Sequence, residues 1–225
     1  MFVVIEGLDG AGKSTQLKKI REYFAQKGLE CKNVHFPRFD APIYGELIAK
    51  FLRGELGDLN NVDPYLVALL YAGDRAEAKN TIEKWLKEDN VVVLDRYLYS
   101  NIAYQCAKVA TKKEQEDLRN WIFDLEYNHN KIPKPDLSIF LNVPKSFTKS
   151  KLEKAREGDD RDYLKGKIDI HEASLSFQDK VREVYLEQEK LDSSFNVIDC
   201  GDEDGDMLCS ETIFEKIVEK IENIK

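Results

Sequence analysis

The stretch Phe2–Thr15, FVVIEGLDGAGKST, restricts the possible fold more than any other part of the chain. Four apolar residues, three of them β-branched, run into Glu6. Gly7-Leu8-Asp9-Gly10-Ala11-Gly12-Lys13-Ser14 then fits the pattern G-x-x-x-x-G-K-[ST], and an amphipathic run follows. A buried-strand signal before the loop and a helix signal after it are the context this pattern needs. Its glycines let the backbone turn tightly and aim N–H groups at a phosphate, and the following helix adds its positive end. In such a loop Lys13 reaches the β- and γ-phosphates and the Ser14 hydroxyl binds Mg²⁺, with Thr15 completing the cradle. A glycine-rich turn without a ligand is the plain alternative, and strand, loop and helix in this order argue against it. A nucleoside triphosphate site is expected.

At 225 residues the chain is long enough for a full core. No repeat, low-complexity segment or linker divides it, so residues 1–225 are expected to form a single domain. The net charge of −8 argues against non-specific nucleic-acid binding, so anionic substrates need local basic clusters. No signal peptide precedes the first strand and no apolar run approaches a membrane span. Cys31, Cys106, Cys200 and Cys209 show no C-x-x-C spacing, and reduced thiols in the cytoplasm are the simplest account. Cys31 and Cys106 are expected as small hydrophobes of the core.

Further along, Leu17, Ile20 and Phe24 recur at helical spacing, and Gly28 has the place of a C-cap. Residues 31–36, 91–94, 137–143 and 195–198 read as strands. Helices are expected over 43–52, from the N-cap pair Asp63-Pro64 to Lys87, and over 100–108, 114–127, 172–191 and 210–224. Arg156–Lys167 lacks an apolar period and reads as a mobile loop. The alternation implies a three-layer α/β fold with a parallel sheet of about five strands. Ligands of such a sheet bind beyond the carboxyl ends of the strands. Glu6–Asp9, Phe36–Arg38 and Asp95–Arg96 all occupy strand ends and should meet in one crevice.

Several separated motifs now narrow the reading: GLDGAGKST at 7–15, FPR at 36–38, LLYAGDR at 69–75, LDRYLYSNIAYQ at 94–105, PDLSIFLNV at 135–143 and DIHE at 169–172. Together they resemble the thymidylate kinase family of P-loop nucleoside monophosphate kinases, over essentially the whole chain. Departures are Tyr71 where phenylalanine is commoner, Cys106 where a small residue is usual, and His171 where an aromatic or aliphatic residue is often seen. The resemblance implies ATP-dependent phosphorylation of dTMP to dTDP for dTTP biosynthesis, by direct Mg²⁺-assisted in-line transfer. It also implies a homodimer, with the helices after residues 42, 63 and 97 as its surface.

The resemblance assigns roles by position. Arg96 becomes the main clamp on the acceptor phosphate, a task that suits a planar fork. Arg38 becomes a second ligand, aimed by a cis Phe36–Pro37 bond. Asp95 orients Mg²⁺ through water, and Asp9 binds the acceptor 3′-hydroxyl. Tyr71 and Arg75, four apart on a helix, share a face, so the ring can stack on thymine while Arg75 donates to O4. Ser100, Asn101 and Gln105 offer polar contacts to the pyrimidine edge, with Asn101, or Ser100 beside it, favoured for N3. Tyr104 crowds the 2′ position.

On the donor side the P-loop has Gly10-Ala11 where some members of the family carry an arginine, and the resemblance is to those members that put catalytic cations in the lid, here approximately 156–167. Residues 145–167 hold eight Lys/Arg against five acids. Arg156 is expected beside the adenine and Arg161 on the transferred phosphoryl group, with Lys165 as the fallback. Asp169 and Glu172 should share one face at a helix start, where Glu172 also serves as a cap. Of the three histidines only His171 is expected near the site. Two other readings stay open: a different monophosphate or a deoxynucleoside as acceptor, and a non-catalytic P-loop switch. The chain has no N-K-x-D guanine motif.

Overall fold

Alternate residues of the central strands sort onto opposite faces, and this period of two decides the layering. On β1 (Phe2–Gly7), Phe2 and Val4 enter one core while Val3 and Ile5 enter another. Val92 and Leu94 of β3 (Val91–Asp95) and Phe140 of β4 (Leu137–Asn142) join the first core. Val91, Val93, Leu137, Ile139 and Leu141 join the second. β1 and β4 are buried along their whole length, so the sheet needs cover on both sides. With β2 (Cys31–His35) and β5 (Phe195–Asp199) at the edges, the order is β2-β3-β1-β4-β5, every pair parallel. The computed structural model describes residues 1–59, 61–148, 159–167, 169–172 and 174–224, with 159–161 described by backbone only.

Helices α1 (Lys13–Gln26) and α7 (Ser210–Glu222) cover the second core with Ile20, Phe24, Ile213, Ile217 and Ile221. The first is covered by α3 (Pro64–Lys87), α4 (Leu98–Cys106), α5 (Lys112–Phe123) and α6 (Leu175–Leu191). α5 runs on into a π-helical turn, Asp124–His129. Local chemistry sets the ends of several helices. After α1, Gly28 at φ +74° lets Leu29 N–H reach Phe24 O at 3.0 Å, the expected glycine stop. Asp63 accepts from Tyr65 N–H at 2.8 Å ahead of Pro64, as the sequence suggested.

Four expectations are corrected. α6 begins at Leu175, capped by the Ser174 hydroxyl, so DIHE forms the turn before the helix and Glu172 is not its cap. Part of the expected 156–167 loop, Asp159–Leu164, is a 3₁₀ helix. Its anchors are the buried Leu164 and Tyr163, which stacks on Phe39 with ring centroids 3.7 Å apart. Two apolar side chains in a polar segment carry no period, which is why the pattern hid them. α4, expected to present a surface after residue 97, is buried except at half-buried Ser100, whereas Ile43 before α2 (Tyr44–Leu52) and Leu66 and Leu69 on α3 are exposed apolar residues. Cys31 is only half-buried on its edge strand, while Cys106 and Cys200 are buried, and all four cysteines are free thiols. Among the described residues no helix is long and apolar enough to cross a membrane.

α2 packs so closely on the loop after β2 that only glycine fits at position 45. A Cβ there would lie 2.3 Å from Arg38 O and 2.9 Å from Phe39 O, both backbone atoms. Gly45→Ala is therefore expected to destabilise the protein by about 1–3 kcal/mol through overpacking, read from the midpoint of a urea titration.

Candidate active site

The carboxyl ends of β1, β2 and β3 open into one cavity of about 880 Å³, the place where a parallel sheet binds its ligands. Gly10 at φ +75° and Gly12 at φ +81° make the left-handed turns that fold the loop after β1 over the start of α1. α1 has no side-chain N-cap, which leaves its first turn to a ligand. Lys13 Nζ lies over the loop and donates to Gly7 O at 3.2 Å and Leu8 O at 3.1 Å. Burial, and then the nearby Arg96 charge, pull its pKa down. A phosphate would replace these carbonyls as its partner. Ser14 lines the cavity wall.

On the neighbouring strand, Arg96 follows β3 with its backbone at φ +66°, a left-handed conformation uncommon for a side chain of this size. Arg96 Nη2 donates to Asp9 Oδ1 at 2.8 Å, Nη1 donates to Ser100 Oγ at 3.3 Å, and the guanidinium sits 5.2 Å from the Tyr104 ring centroid. Tyr104 in turn donates to Asp9 Oδ2 at 3.1 Å. Beneath them lies Glu6, fully buried. It accepts from Tyr97 N–H at 2.9 Å, from Tyr185 O–H at 2.9 Å and from the Ser100 hydroxyl. Burial raises its pKa and these donors oppose the rise. Ser100 is thus committed to Glu6, Tyr185 and Arg96, which leaves Asn101 as the better candidate for the base edge.

Asp95 pairs with His35 Nδ1 at 3.2 Å through Oδ2, so a second histidine belongs to the site that sequence spacing had left out. Its Oδ1 is buried with no hydrogen-bond partner among the described residues. Burial opposes its ionisation, but Lys13, His35 and Arg96 hold its pKa down. An ionised carboxylate with an unused oxygen, and the Ser14 hydroxyl in the same cavity, fit a cation held chiefly by a nucleotide and water. Among the described residues no cluster of three His, Cys, Asp or Glu offers an all-protein metal site.

The Phe36–Pro37 bond is cis, as expected. Arg38 lines the cavity but is heavily engaged by α3: its Nε donates to Asp74 Oδ1 at 2.8 Å and its Nη2 to Glu77 Oε2 at 3.1 Å. At the far end, Tyr71, Arg75, Asn101 and Gln105 all reach the cavity. Arg75 is buried and forked onto Glu126 of the π turn, Nε to Oε2 at 2.5 Å and Nη2 to Oε1 at 2.7 Å. Nothing in the spacing of residues 75 and 126 announces this pair.

Asp169 and Glu172 line the same cavity. Asp169 accepts from Tyr163 O–H and from His171 N–H, both at 2.8 Å. Burial, and then the Asp9 charge, push its pKa up to about 7. His171 packs at 4.9 Å from Tyr104, and burial holds it neutral. Arg53, unnoticed in the sequence, joins α2 to the 3₁₀ helix by donating to Tyr163 O at 2.6 Å while forked onto Glu55. Of the lid cations, Arg156 lies outside the described residues, Arg161 is described by its backbone alone, and Lys165 is exposed outside the cavity lining.

With this geometry in hand, comparison with known proteins is specific. The thymidylate kinase family model matches residues 5–207. A thymidylate kinase of Mycobacterium tuberculosis (strain ATCC 25618 / H37Rv) is 33% identical over 187 residues, covering 83% of this chain and 85% of its own. A probable thymidylate kinase of Pyrococcus horikoshii is 34% identical over 199 residues, 88% of this chain and 86% of its own. Among solved structures, thymidylate kinase from Candida albicans superposes with a TM-score of 0.72 at 25% identity, over 98% of this chain and 90% of that one.

Asp169 makes stability depend on pH. Unfolded, it loses its proton above its ordinary value of 3.8, whereas folded it keeps the proton to about 7. The folded state binds more protons in that window, so this group's contribution to stability falls as pH rises through it and levels off above. Asp169→Asn is expected to flatten the decline between about pH 4 and 7 by an amount on the order of a few kcal/mol, measured by urea unfolding of both proteins.

Proposed function

The chain belongs to the thymidylate kinase family, and from that membership and the crevice geometry we infer that it transfers the γ-phosphoryl group of ATP to dTMP, giving dTDP and ADP. One observation carries the acceptor half of this reading: Arg96 lines the same cavity as the P-loop, its fork held by the loop's own Asp9. Phosphoryl transfer needs little covalent help from a protein; positioning and charge stabilisation do most of it. In this reading the P-loop backbone from Gly7 to Thr15 cradles the ATP phosphates and Lys13 turns from the loop carbonyls to the β- and γ-oxygens. Arg96 and Arg38 grip the dTMP phosphate, and Asp9 receives the 3′-hydroxyl beside Tyr104. Tyr71 stacks on the base, whose edge meets Arg75, Asn101 and Gln105. Asp169 and Glu172 close the sugar side. The attacking phosphate is already ionised, so no general base is required.

Mg²⁺ bound with ATP would neutralise charge on the β- and γ-oxygens, held by Ser14 directly and by Asp95 through water. Arg161 would supply the lid cation on the transferred group, and Arg156 would flank the adenine. The reading includes one catalytic domain spanning residues 1–225, a cytoplasmic setting suited to its free thiols, and a homodimer. The exposed Ile43, Leu66 and Leu69 support α2 and α3 as the contact between subunits.

An acceptor panel with ATP and Mg²⁺ tests the assignment. dTMP should be phosphorylated, dUMP less well, and GMP and CMP negligibly; turnover of GMP equal to that of dTMP would overturn it. Arg96→Ala should lower kcat/KM for dTMP by about 10²–10³-fold, the loss typical of one preorganised charge-stabilising donor. A deoxynucleoside acceptor, lacking the phosphate, would be far less sensitive to that change.

A further inference from the structure

Asn101 Oδ1 and Gln105 Nε2 are buried, belong to residues that line the cavity, and have no hydrogen-bond partner among the described residues. An isolated amide can present either its oxygen or its NH₂ group to a ligand. Here the choice is made from behind. Asn101 Nδ2 lies 3.0 Å from Glu126 Oε1 and 3.0 Å from Ala68 O. A carboxylate and a carbonyl only accept, so the atom facing them must be the NH₂, and the oxygen is the atom left without a partner among the described residues. Gln105 is held the opposite way. Lys108 Nζ, 4.7 Å from the Phe51 ring centroid, donates to Gln105 Oε1 at 2.8 Å. An ammonium only donates, so the Gln105 NH₂ group is the end left without a partner among the described residues.

We propose that Glu126 and Lys108 are positioning residues that set the polarity of the two base-reading amides, one acceptor and one donor. Neither lines the cavity. The pair then selects an imide edge, an N3–H flanked by carbonyl oxygens, over the edge of cytosine, whose N3 accepts. Asn101 Oδ1 facing cytosine N3 would set two acceptors against each other in a buried site, where an unmade hydrogen bond is costly. The inference rests on the reading that the acceptor base lies against Asn101 and Gln105. Glu126 suits this task because it is fully buried and already forked onto Arg75. It stands on a π turn, an irregularity found frequently at functional sites.

The test compares kcat/KM for dTMP and dCMP in the wild type, Glu126→Gln and Lys108→Met. Burial draws Lys108 down to about 7, so the comparison is made at about pH 6, where its ammonium is charged. A glutamine at 126 can donate to Asn101 and let its amide turn over, and a methionine at 108 releases Gln105. Each change should lower the dTMP:dCMP ratio by about tenfold or more, chiefly through a higher KM for dTMP. A lost surface contact or a merely loosened fold would lower turnover of both substrates alike. If Glu126→Gln fails to fold because buried Arg75 loses its carboxylate, Glu126→Asp, which keeps a carboxylate but shortens its reach to Asn101, decides for Asn101, and Lys108→Met, which breaks no ion pair, decides for Gln105. Folded variants that keep wild-type selectivity overturn the inference and leave the dTMP kinase reading standing. A wild type that neither turns over dTMP nor gains thermal stability from it overturns that reading, and the inference with it.

Discussion

A buried carboxylate at the end of the central strand holds the active site together. Glu6 has no solvent exposure, and burying its charge is costly unless donors replace the lost water. Those donors come from elements far apart in sequence: Tyr97 N–H and Ser100 at the start of α4, and the Tyr185 hydroxyl of α6. α4 has no side-chain cap of its own at Tyr97, and Glu6 does that work from another strand. Just before Tyr97 the chain makes the left-handed turn at Arg96, whose N–H is tied to Ile5 O at 2.9 Å. The position of Arg96 is therefore built into the junction of β1, β3 and α4.

The same device recurs around the crevice. Each prominent arginine is steadied by an acid: Arg96 by Asp9, Arg38 by Asp74 and Glu77, Arg75 by Glu126, and Arg53 by Glu55. Buried pairs of this kind are weak evidence for stability, since desolvation offsets much of the attraction. Their value here is geometric, because a guanidinium held in one orientation needs no reorganisation when charge develops beside it. This also reconciles a chain of net charge −8 with anionic substrates. The acidic excess is spread over the surface, while the crevice presents cations already turned inward.

Much of this was readable from the sequence because it is local. The P-loop, the alternating strands, the Gly28 stop, the Asp63-Pro64 start and the strand-end Asp95-Arg96 each announce themselves within a few residues. What escaped was tertiary. Glu126 meets Arg75 across fifty-one positions, His35 meets Asp95 across adjacent strands, and Lys108 matters only through the amide it turns. Tyr163 and Leu164 anchor the 3₁₀ helix as isolated apolar residues in a polar segment. The helix start expected at Glu172 moved to Ser174 because the turn before it is held by Asp169 contacts that no spacing rule anticipates.

Taken alone, the sequence determined the three-layer α/β plan, the phosphate loop, and the set of side chains available at the strand ends. Those follow from periodicity and turn chemistry, which act over one or two turns of chain. Tertiary structure decided which hydroxyl, amide or carboxylate each of them faces. It tied Ser100 to Glu6, left Asp95 Oδ1 buried without a partner among the described residues, and turned the amides of Asn101 and Gln105 in opposite senses. The physical reason is that hydrogen-bond polarity in a buried site is set by whichever donor or acceptor lies within about 3 Å. Only the folded chain brings those partners that close.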